Sequence, residues 1–177
     1  MNRKTITFLI GAYMMMLVSN GAIAGTGVND QSIKNMRYHP VIWNSADHIE
    51  KRSLQVRNGE YERIGKRNAH DMESLRAGYA VFGDLNGDGK KDAAVTLNHN
   101  TGGSGTVMQI ATVVDMNSVP THVASRNLGD RTEVTKMWIQ NGKIYAHISN
   151  ERFYPGQAKT VSYFLKNGRL VGPDPWK

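Results

Sequence analysis

The chain has 177 residues, with 22 Lys and Arg against 15 Asp and Glu, and its formal net charge is +7 at pH 7. It contains no cysteine, which excludes disulfide staples, thiol chemistry and a lipid-modified cysteine. A chain of this length can form one domain with a substantial hydrophobic core.

The N-terminus has the pattern of a secretory signal peptide. Arg3 and Lys4 precede an apolar run, Ile6–Val18, and Ala22-Ile23-Ala24 then places small residues at the offsets of a cleavage site. We therefore expect residues 1–24 to be removed, which leaves 20 basic residues against 15 acidic ones. A membrane anchor is the alternative, but the apolar run is short for a bilayer core of about 30 Å. The sequence thus predicts a periplasmic or secreted protein with no membrane span after cleavage.

Residues 25–177 are predicted to form a single domain, in which residues 25–52 have the weakest pattern. Asn29 or Asp30 is expected to cap a short helix that carries Ile33 and Met36. This helix should end near His39-Pro40, because the residue before a proline avoids the helical region. The apolar residues Val41, Ile42 and Trp43 are then expected to pack on the core.

From Ser53 onward the pattern indicates β-structure. Three Asn-Gly pairs lie between β-rich runs, and this dipeptide favours the type I′ turn of a tight hairpin. They are Asn58-Gly59, Asn141-Gly142 and Asn167-Gly168. The only other segment predicted to be able to form a helix is Asn68–Leu75. The predicted fold is an antiparallel sheet of hairpins with one or two short helices, mainly β, with an α+β fold as the alternative.

Individual strands are predicted from apolar runs and from alternation. Tyr79–Phe82, Ala93–Leu97 and Val107–Val114 are apolar enough for strands, the last two for central ones. In Ile144–Ser149 apolar residues alternate with polar ones, as in a strand with one buried face.

An acidic loop between two of these runs carries the pattern of a calcium site. Calcium takes six to eight oxygen ligands, and a tightly wound loop can supply them from alternate positions. The predicted ligands are the side chains of Asp84, Asn86 and Asp88, the backbone carbonyl of Lys90, and the side chain of Asp92. Gly89 stands at the sixth position, where such a loop turns sharply. Position twelve is Val95 instead of the glutamate of a helix–loop–helix site, so Asp92 is expected to close the loop.

The stretch F-G-D-L-N-G-D-G-K-K-D-A-A-V resembles the calcium-binding Asp-x-Asp-x-Asp-Gly loop of FG-GAP-type repeats. The continuation L-N-H-N-T-G-G-S-G-T, with L-G-D-R further on, resembles a group of small exported bacterial proteins of unknown function. FG-GAP repeats build β-propellers by repetition, and the sequence holds a single copy of the loop. The resemblance therefore implies one calcium loop and no propeller. The alternative interpretation is a polar turn without metal.

A glycine-rich loop and the histidines are the remaining candidates for chemistry. Gly102, Gly103, Ser104 and Gly105 lie between two predicted strands and form a candidate ligand or partner loop. The loop lacks the Gly-x-Ser-x-Gly pattern of a nucleophile elbow. The six histidines show no metal-ligand spacing, and His99 alone is a candidate acid–base group. Asp130 is expected to pair with Arg131 or with a lysine elsewhere, and Trp176 either packs on the sheet or stays exposed.

The sequence favours a non-enzymatic function. It predicts an exported binding or interaction module, stabilised by one calcium ion in the 84–92 loop. The expected partner is an envelope protein or an anionic envelope polymer, since the net charge is positive. Export and the lack of a recognition motif disfavour nucleic acid. The alternatives are a hydrolase acting on envelope glycan or peptidoglycan, and a structural component of an envelope complex.

Overall fold

The computed structural model describes residues 27–43, 49–65 and 72–176. The predicted signal peptide, residues 1–24, lies outside these ranges. Within them the chain forms one helix, α1 (Asp30–Lys34), followed by strands. The strands are β1 (Arg37–Tyr38), β2 (Val41–Trp43), β3 (Ile49–Lys51), β4 (Leu54–Gln55), β5 (Glu60–Arg63), β6 (Glu73–Gly83), β7 (Asp92–Asn100), β8 (Val107–Met116), β9 (Val119–Asp130), β10 (Glu133–Gln140), β11 (Lys143–Asn150), β12 (Tyr154–Lys166) and β13 (Arg169–Val171).

Two antiparallel sheets dominate the fold. One has five strands in the order β5-β6-β7-β8-β9, and the other has four in the order β10-β11-β12-β13. Each strand pairs with its neighbour in sequence, so both sheets are series of hairpins. The prediction of a mainly-β fold of antiparallel hairpins is confirmed. In the described ranges, no helix is long and apolar enough to cross a membrane.

The Asn-Gly turns form as the sequence predicts. Asn141 and Gly142 have φ values of 51° and 69°, and Asn167 and Gly168 have 51° and 70°, as a type I′ turn requires. A further tight turn, Asn117-Ser118, joins β8 to β9 with φ values of 56° and 67°. The sequence analysis missed this turn because serine at positive φ is uncommon. The Asp115 carboxylate supports it by accepting a hydrogen bond from the Ser118 amide.

The N-terminal helix is shorter than predicted. Asn29 caps it, with its side chain accepting from the Ser32 amide while the Ser32 hydroxyl accepts from the Asn29 amide. The helix includes Ile33 but ends at Lys34, so the expectation that it carries Met36 and ends near His39-Pro40 was wrong. The physical reason is local: the Asn35 amide bonds to the Ser32 carbonyl, and the chain then extends into β1.

The prediction of a second helical segment, Asn68–Leu75, was also wrong for the residues of this segment that the structure describes. Glu73, Ser74 and Leu75 begin the long strand β6, while residues 66–71 lie outside the described ranges. Pairing with both β5 and β7 satisfies the backbone of this part of β6. Tertiary pairing therefore overrides the weak local helical preference.

The five-stranded sheet is buried on both faces. Its inner face packs on the four-stranded sheet, since Ala94 and Ile110 of the first sheet share a core with Ile144, Ala146 and Tyr163 of the second. Its opposite face packs on the N-terminal segment. That core includes Val28, Ile33, Tyr38, Leu54, Val56, Leu75, Ala93, Val95, Leu97, Ala111 and Val113. Neighbours along β7 thus enter different cores, because successive side chains of a strand point to opposite faces.

Candidate functional site

The acidic loop joins β6 to β7 and is wound around the side chain of Asp84. One Asp84 carboxylate oxygen accepts from the amides of Asn86 and Gly87 at 3.2 and 2.6 Å, and the other accepts from Gly89 at 2.8 Å. These amides, with Gly89 contributing most and Gly87 next, lower the pKa of Asp84. Asp84 is therefore held in its charged form, as a metal ligand must be.

The side chains of Asn86 and Asp88 also accept hydrogen bonds from backbone amides of the loop. The Asn86 side-chain oxygen accepts from the Asp88 amide, and the Asp88 carboxylate accepts from the Lys90 amide, each at 2.9 Å. Gly87 and Gly89 have φ values of 84° and 79°, so the backbone turns into the left-handed region twice. Asp84, Asn86 and Asp88 thus turn back on their own loop, while residues 86–91 are exposed to solvent.

Asp92 lies at the base of the loop and is fully buried, with 0% of its surface exposed. Its two carboxylate oxygens accept from the amides of Leu85 and Asp115, both at 2.9 Å. Leu85 belongs to the loop and Asp115 to β8, so this one carboxylate ties the loop to two neighbouring strands. Whatever else it binds, Asp92 has a structural role.

The donor chemistry of the loop fits a hard cation. All five predicted ligands would present oxygen, and a carboxylate oxygen that accepts one hydrogen bond keeps a lone pair. In the part of the chain that the structure describes, no three His, Cys, Asp or Glu side chains form a group that could hold a metal ion. The assignment of Asp84, Asn86, Asp88, Lys90 and Asp92 to calcium therefore stays a prediction.

The glycine-rich loop Gly102–Gly105 is held in place by side chains around it. The Asn100 side chain bonds to the Gly102 amide and the Gly103 carbonyl. The Arg131 guanidinium donates to the Ser104 carbonyl and pairs with Asp130 at 3.0 Å, and Asp130 also accepts from the Thr106 amide. The partner of Asp130 is thus Arg131, and this pair orders the loop.

The structure does not bring the two loops together. The acidic loop precedes β7 and the glycine-rich loop follows it, so they lie at opposite ends of that strand. Nine residues of β7 separate them by roughly 27 Å. Ser104 and the carboxylates of the acidic loop therefore cannot act on the same bond of a substrate.

His99 lies inside the protein, beside a carboxylate that the sequence analysis did not single out. Its Nε2 atom is 3.2 Å from the Glu73 carboxylate, and the residues are 2% and 3% exposed. Arg52 and Arg63 approach the other Glu73 oxygen at 3.4 and 3.7 Å. Burial lowers the pKa of His99, although the hydrogen bond and charge of Glu73 oppose this. His99 and Glu73 are both buried beneath the exposed arginines, which argues against His99 as an acid–base group.

A second histidine contact joins the N-terminal segment to β9. His122 Nδ1 accepts from the backbone amide of His39 at 3.2 Å and lies 3.3 Å from His39 Nδ1. The ring centres are 5.5 Å apart and the ring planes are inclined by 21°, so the two rings are stacked. His122 Nε2 lies 2.9 Å from the Ser125 hydroxyl, so the proton of the neutral ring resides there. No local spacing could reveal this contact, because 83 residues separate the two histidines.

An open groove lies between β9 and the C-terminal segment and has a volume of about 1130 Å³. His39 and His122 line it near one end, and Arg126, Asp174 and Trp176 line the part beside the C-terminal segment. Trp176 packs on the protein: its indole N–H donates to the Leu128 carbonyl at 2.7 Å. Its ring stacks on Tyr154 with centres 4.6 Å apart.

Comparison with known proteins adds no assignment to this geometry: no protein-family model, no curated protein and no solved structure matches the chain.

Proposed function

We propose that the protein is an exported, non-enzymatic binding or interaction module in which one calcium ion stabilises the 84–92 loop. The observation that carries the proposal is the winding of that loop, in which Asp84, Asn86 and Asp88 all turn back on their own backbone. Export rests on the pattern of residues 1–24, and it places the protein in the periplasm or outside the cell.

Calcium would act here as a structural ion. Its proposed ligands all come from one loop, and the loop stands on Asp92, which is bonded to the Asp115 amide of β8. A bound calcium ion would offset the repulsion between the Asp84 and Asp88 carboxylates of the same loop. Sites of this kind in extracellular modules bind at roughly 10⁻⁴–10⁻³ M. Such an ion would stiffen one end of the five-stranded sheet.

The proposal is tested with Asp88→Asn. The amide oxygen of asparagine can keep the hydrogen bond from the Lys90 amide, while the negative charge is lost. We expect calorimetric titration of the chelator-stripped protein to show one calcium site, which Asp88→Asn weakens about tenfold or more. Calcium should raise the melting temperature of the unmodified protein and have a much smaller effect on the variant.

Asp30→Asn is the matched control, because it makes the same change at an exposed residue of helix α1, outside the 84–92 loop. Its calcium affinity should equal that of the unmodified protein. Absence of calcium heat together with an unchanged melting temperature would reject the metal. The acidic loop would then be a polar turn closed by its own side chains.

The hydrolase alternative has less support. Carboxylates, His99 and a glycine-rich loop are close in sequence, as a hydrolase site would need. In the fold, however, His99 is buried against Glu73, and the acidic and glycine-rich loops lie at opposite ends of β7. The alternative of a structural envelope component would share the same calcium loop and is compatible with a binding surface.

A further inference from the structure

The outer face of the four-stranded sheet is basic and aromatic. Along β11, Ile144, Ala146 and Ile148 enter the core, so the alternate residues between them point to the opposite face. The residues of β10 and β12 that are paired with these outward-pointing residues of β11 lie on the same outer face. We call this surface the basic aromatic face; it comprises Lys136, Trp138, Lys143, Tyr145, His147 and Phe164.

The positive charges of this face are not neutralised. Lys136 and Lys143 are exposed, and neither forms an ion pair with any described residue. Lys166 and Arg169, a cross-strand pair at the edge of the sheet, are likewise exposed cations without an ion pair in the described ranges. Glu133 is in register with this face, but it lies at the start of β10 beyond the bulge at Thr135. The face is therefore complementary to a polyanion.

The aromatic side chains add hydrogen-bond donors. Trp138 and Tyr145 are directly opposite each other, and their rings stack with centres 5.2 Å apart and planes 9° apart. The Lys136 ammonium lies 5.4 Å from the centre of the Trp138 ring. Among the described residues neither the indole N–H nor the tyrosine hydroxyl has a hydrogen-bond partner. The stack thus presents ring edges, which carry partial positive charge, together with two free donors.

We propose that the basic aromatic face binds a linear acidic polysaccharide. Its carboxylates would pair with Lys136 and Lys143, and its hydroxyl groups would accept from Trp138 and Tyr145. The face extends about 10 Å across three strands and about 13 Å along them, which accommodates a short run of sugar rings. This inference rests on the proposed function as a binding module and names the chemistry of the partner.

Two other polyanions fit the geometry less well. Single-stranded nucleic acid binds sheets by stacking its bases on the faces of aromatic rings, but Trp138 and Tyr145 already cover each other. An anionic membrane surface favours aromatic side chains that protrude into the interface. Trp138 and Tyr145 are only partly exposed, and Phe164 is 38% exposed.

The test measures binding of the purified protein to carboxymethyl-dextran and to unmodified dextran, in chelator and at fixed ionic strength. Dextran is the matched neutral polymer, and chelator keeps calcium out of the measurement. We expect binding to carboxymethyl-dextran alone, and Lys136→Glu and Lys143→Glu should each weaken it at least fivefold. Lys34→Glu, on the exposed side of helix α1, makes the same change in net charge and should weaken binding less than twofold.

Equal weakening by Lys34→Glu would overturn the inference, because the attraction would then belong to the net charge of the whole protein. Tighter binding to single-stranded oligothymidylate or to phosphatidylglycerol vesicles, lost in the same two variants, would assign the face to another partner and overturn it too. Tyr145→Phe keeps the ring stack and removes one donor, and it should weaken binding about twofold to fivefold. Calcium binding is measured separately, so either proposal can fail while the other stands.

Discussion

At the scale of single residues, Asp92 supports the acidic loop through hydrogen bonds that need no metal. It differs from Asp84 and Asp88 because it is fully buried and bonds to amides on two different elements. Asp84 and Asp88 accept hydrogen bonds from exposed amides of the loop, and water could replace the carboxylates as acceptors there. The energetic consequences of removing these carboxylates should therefore differ even without calcium.

We predict that Asp92→Ala, measured in chelator, lowers the free energy of unfolding by about 2–4 kcal/mol, since one buried and one partly buried amide lose their acceptor. Asp88→Ala should cost less than about 1 kcal/mol under the same conditions, because the Lys90 amide becomes available to water. Urea unfolding of both variants gives the comparison. Equal losses would contradict a structural role for Asp92 that is independent of metal.

The contact between His39 and His122 couples folding to pH. Burial and, to a smaller extent, the charge of His39 lower the pKa of His122 to about 4, against a weaker opposing effect of the Ala124 backbone. Protonation of His122 at Nδ1 would also remove the hydrogen bond that this atom accepts from the His39 amide.

The sign of the effect follows from proton uptake. Between about pH 6.5 and pH 4 the unfolded chain protonates His122 while the folded protein does not, so stability falls as the pH is lowered through this range. Relative to neutral pH, this difference in protonation should lower the free energy of unfolding by up to about 3 kcal/mol towards pH 4. We predict that His122→Asn, which cannot titrate, has a flatter dependence of unfolding free energy on pH. If the unfolding free energies of the unmodified protein and of His122→Asn depended on pH in the same way, the effect could not be assigned to His122.

At the scale of elements, strand β9 shows how a long edge strand is protected. It ends the five-stranded sheet, and its pairing with β8 is interrupted by two bulges, at Val123 and at Leu128. Bulges and a covered edge prevent another chain from adding a strand there. The C-terminal segment covers part of this edge: Trp176 donates to the Leu128 carbonyl, and Arg126 donates to the Pro173 carbonyl.

We predict that the contacts of Trp176 with β9 and Tyr154 stabilise the folded protein. Trp176→Ala should lower the free energy of unfolding by about 2 kcal/mol, because it removes the ring stacked on Tyr154 and leaves the Leu128 carbonyl without its partner. Trp176→Phe keeps a stacking ring and should cost about half as much. Equilibrium unfolding in urea measures the loss of unfolding free energy for each variant. If neither substitution changed the unfolding free energy, the C-terminal segment would contribute nothing to stability.

At the scale of the whole molecule, the five-stranded sheet is shared by two cores. Residues of β7 and β8 alternate between a core facing the N-terminal segment and a core facing the four-stranded sheet. Among the described residues, the four-stranded sheet buries one face and leaves the other exposed, which is why its outer residues can be basic and aromatic. The proposed polysaccharide site uses this exposed face.

Much of the fold was predictable because its signals are local. Asn141-Gly142 specifies a turn whatever surrounds it, and the alternation of Ile144, Ala146 and Ile148 identifies the buried face of a strand. The regular spacing of Asp84, Asn86 and Asp88 likewise identified a wound loop. The turn at Asn117-Ser118 and the end of helix α1 at Lys34 were missed, because hydrogen bonds between neighbours outweighed residue preferences there.

The sequence by itself determined the mainly-β class, the Asn-Gly turns and the residue types of the acidic loop, since these depend on neighbours along the chain. Only the tertiary structure decided which distant residues meet: His99 with Glu73, His122 with His39, and Trp176 with Leu128. It also separated the acidic loop from the glycine-rich loop by the length of β7. Such contacts depend on how strands and cores pack, and packing joins residues that share no local pattern.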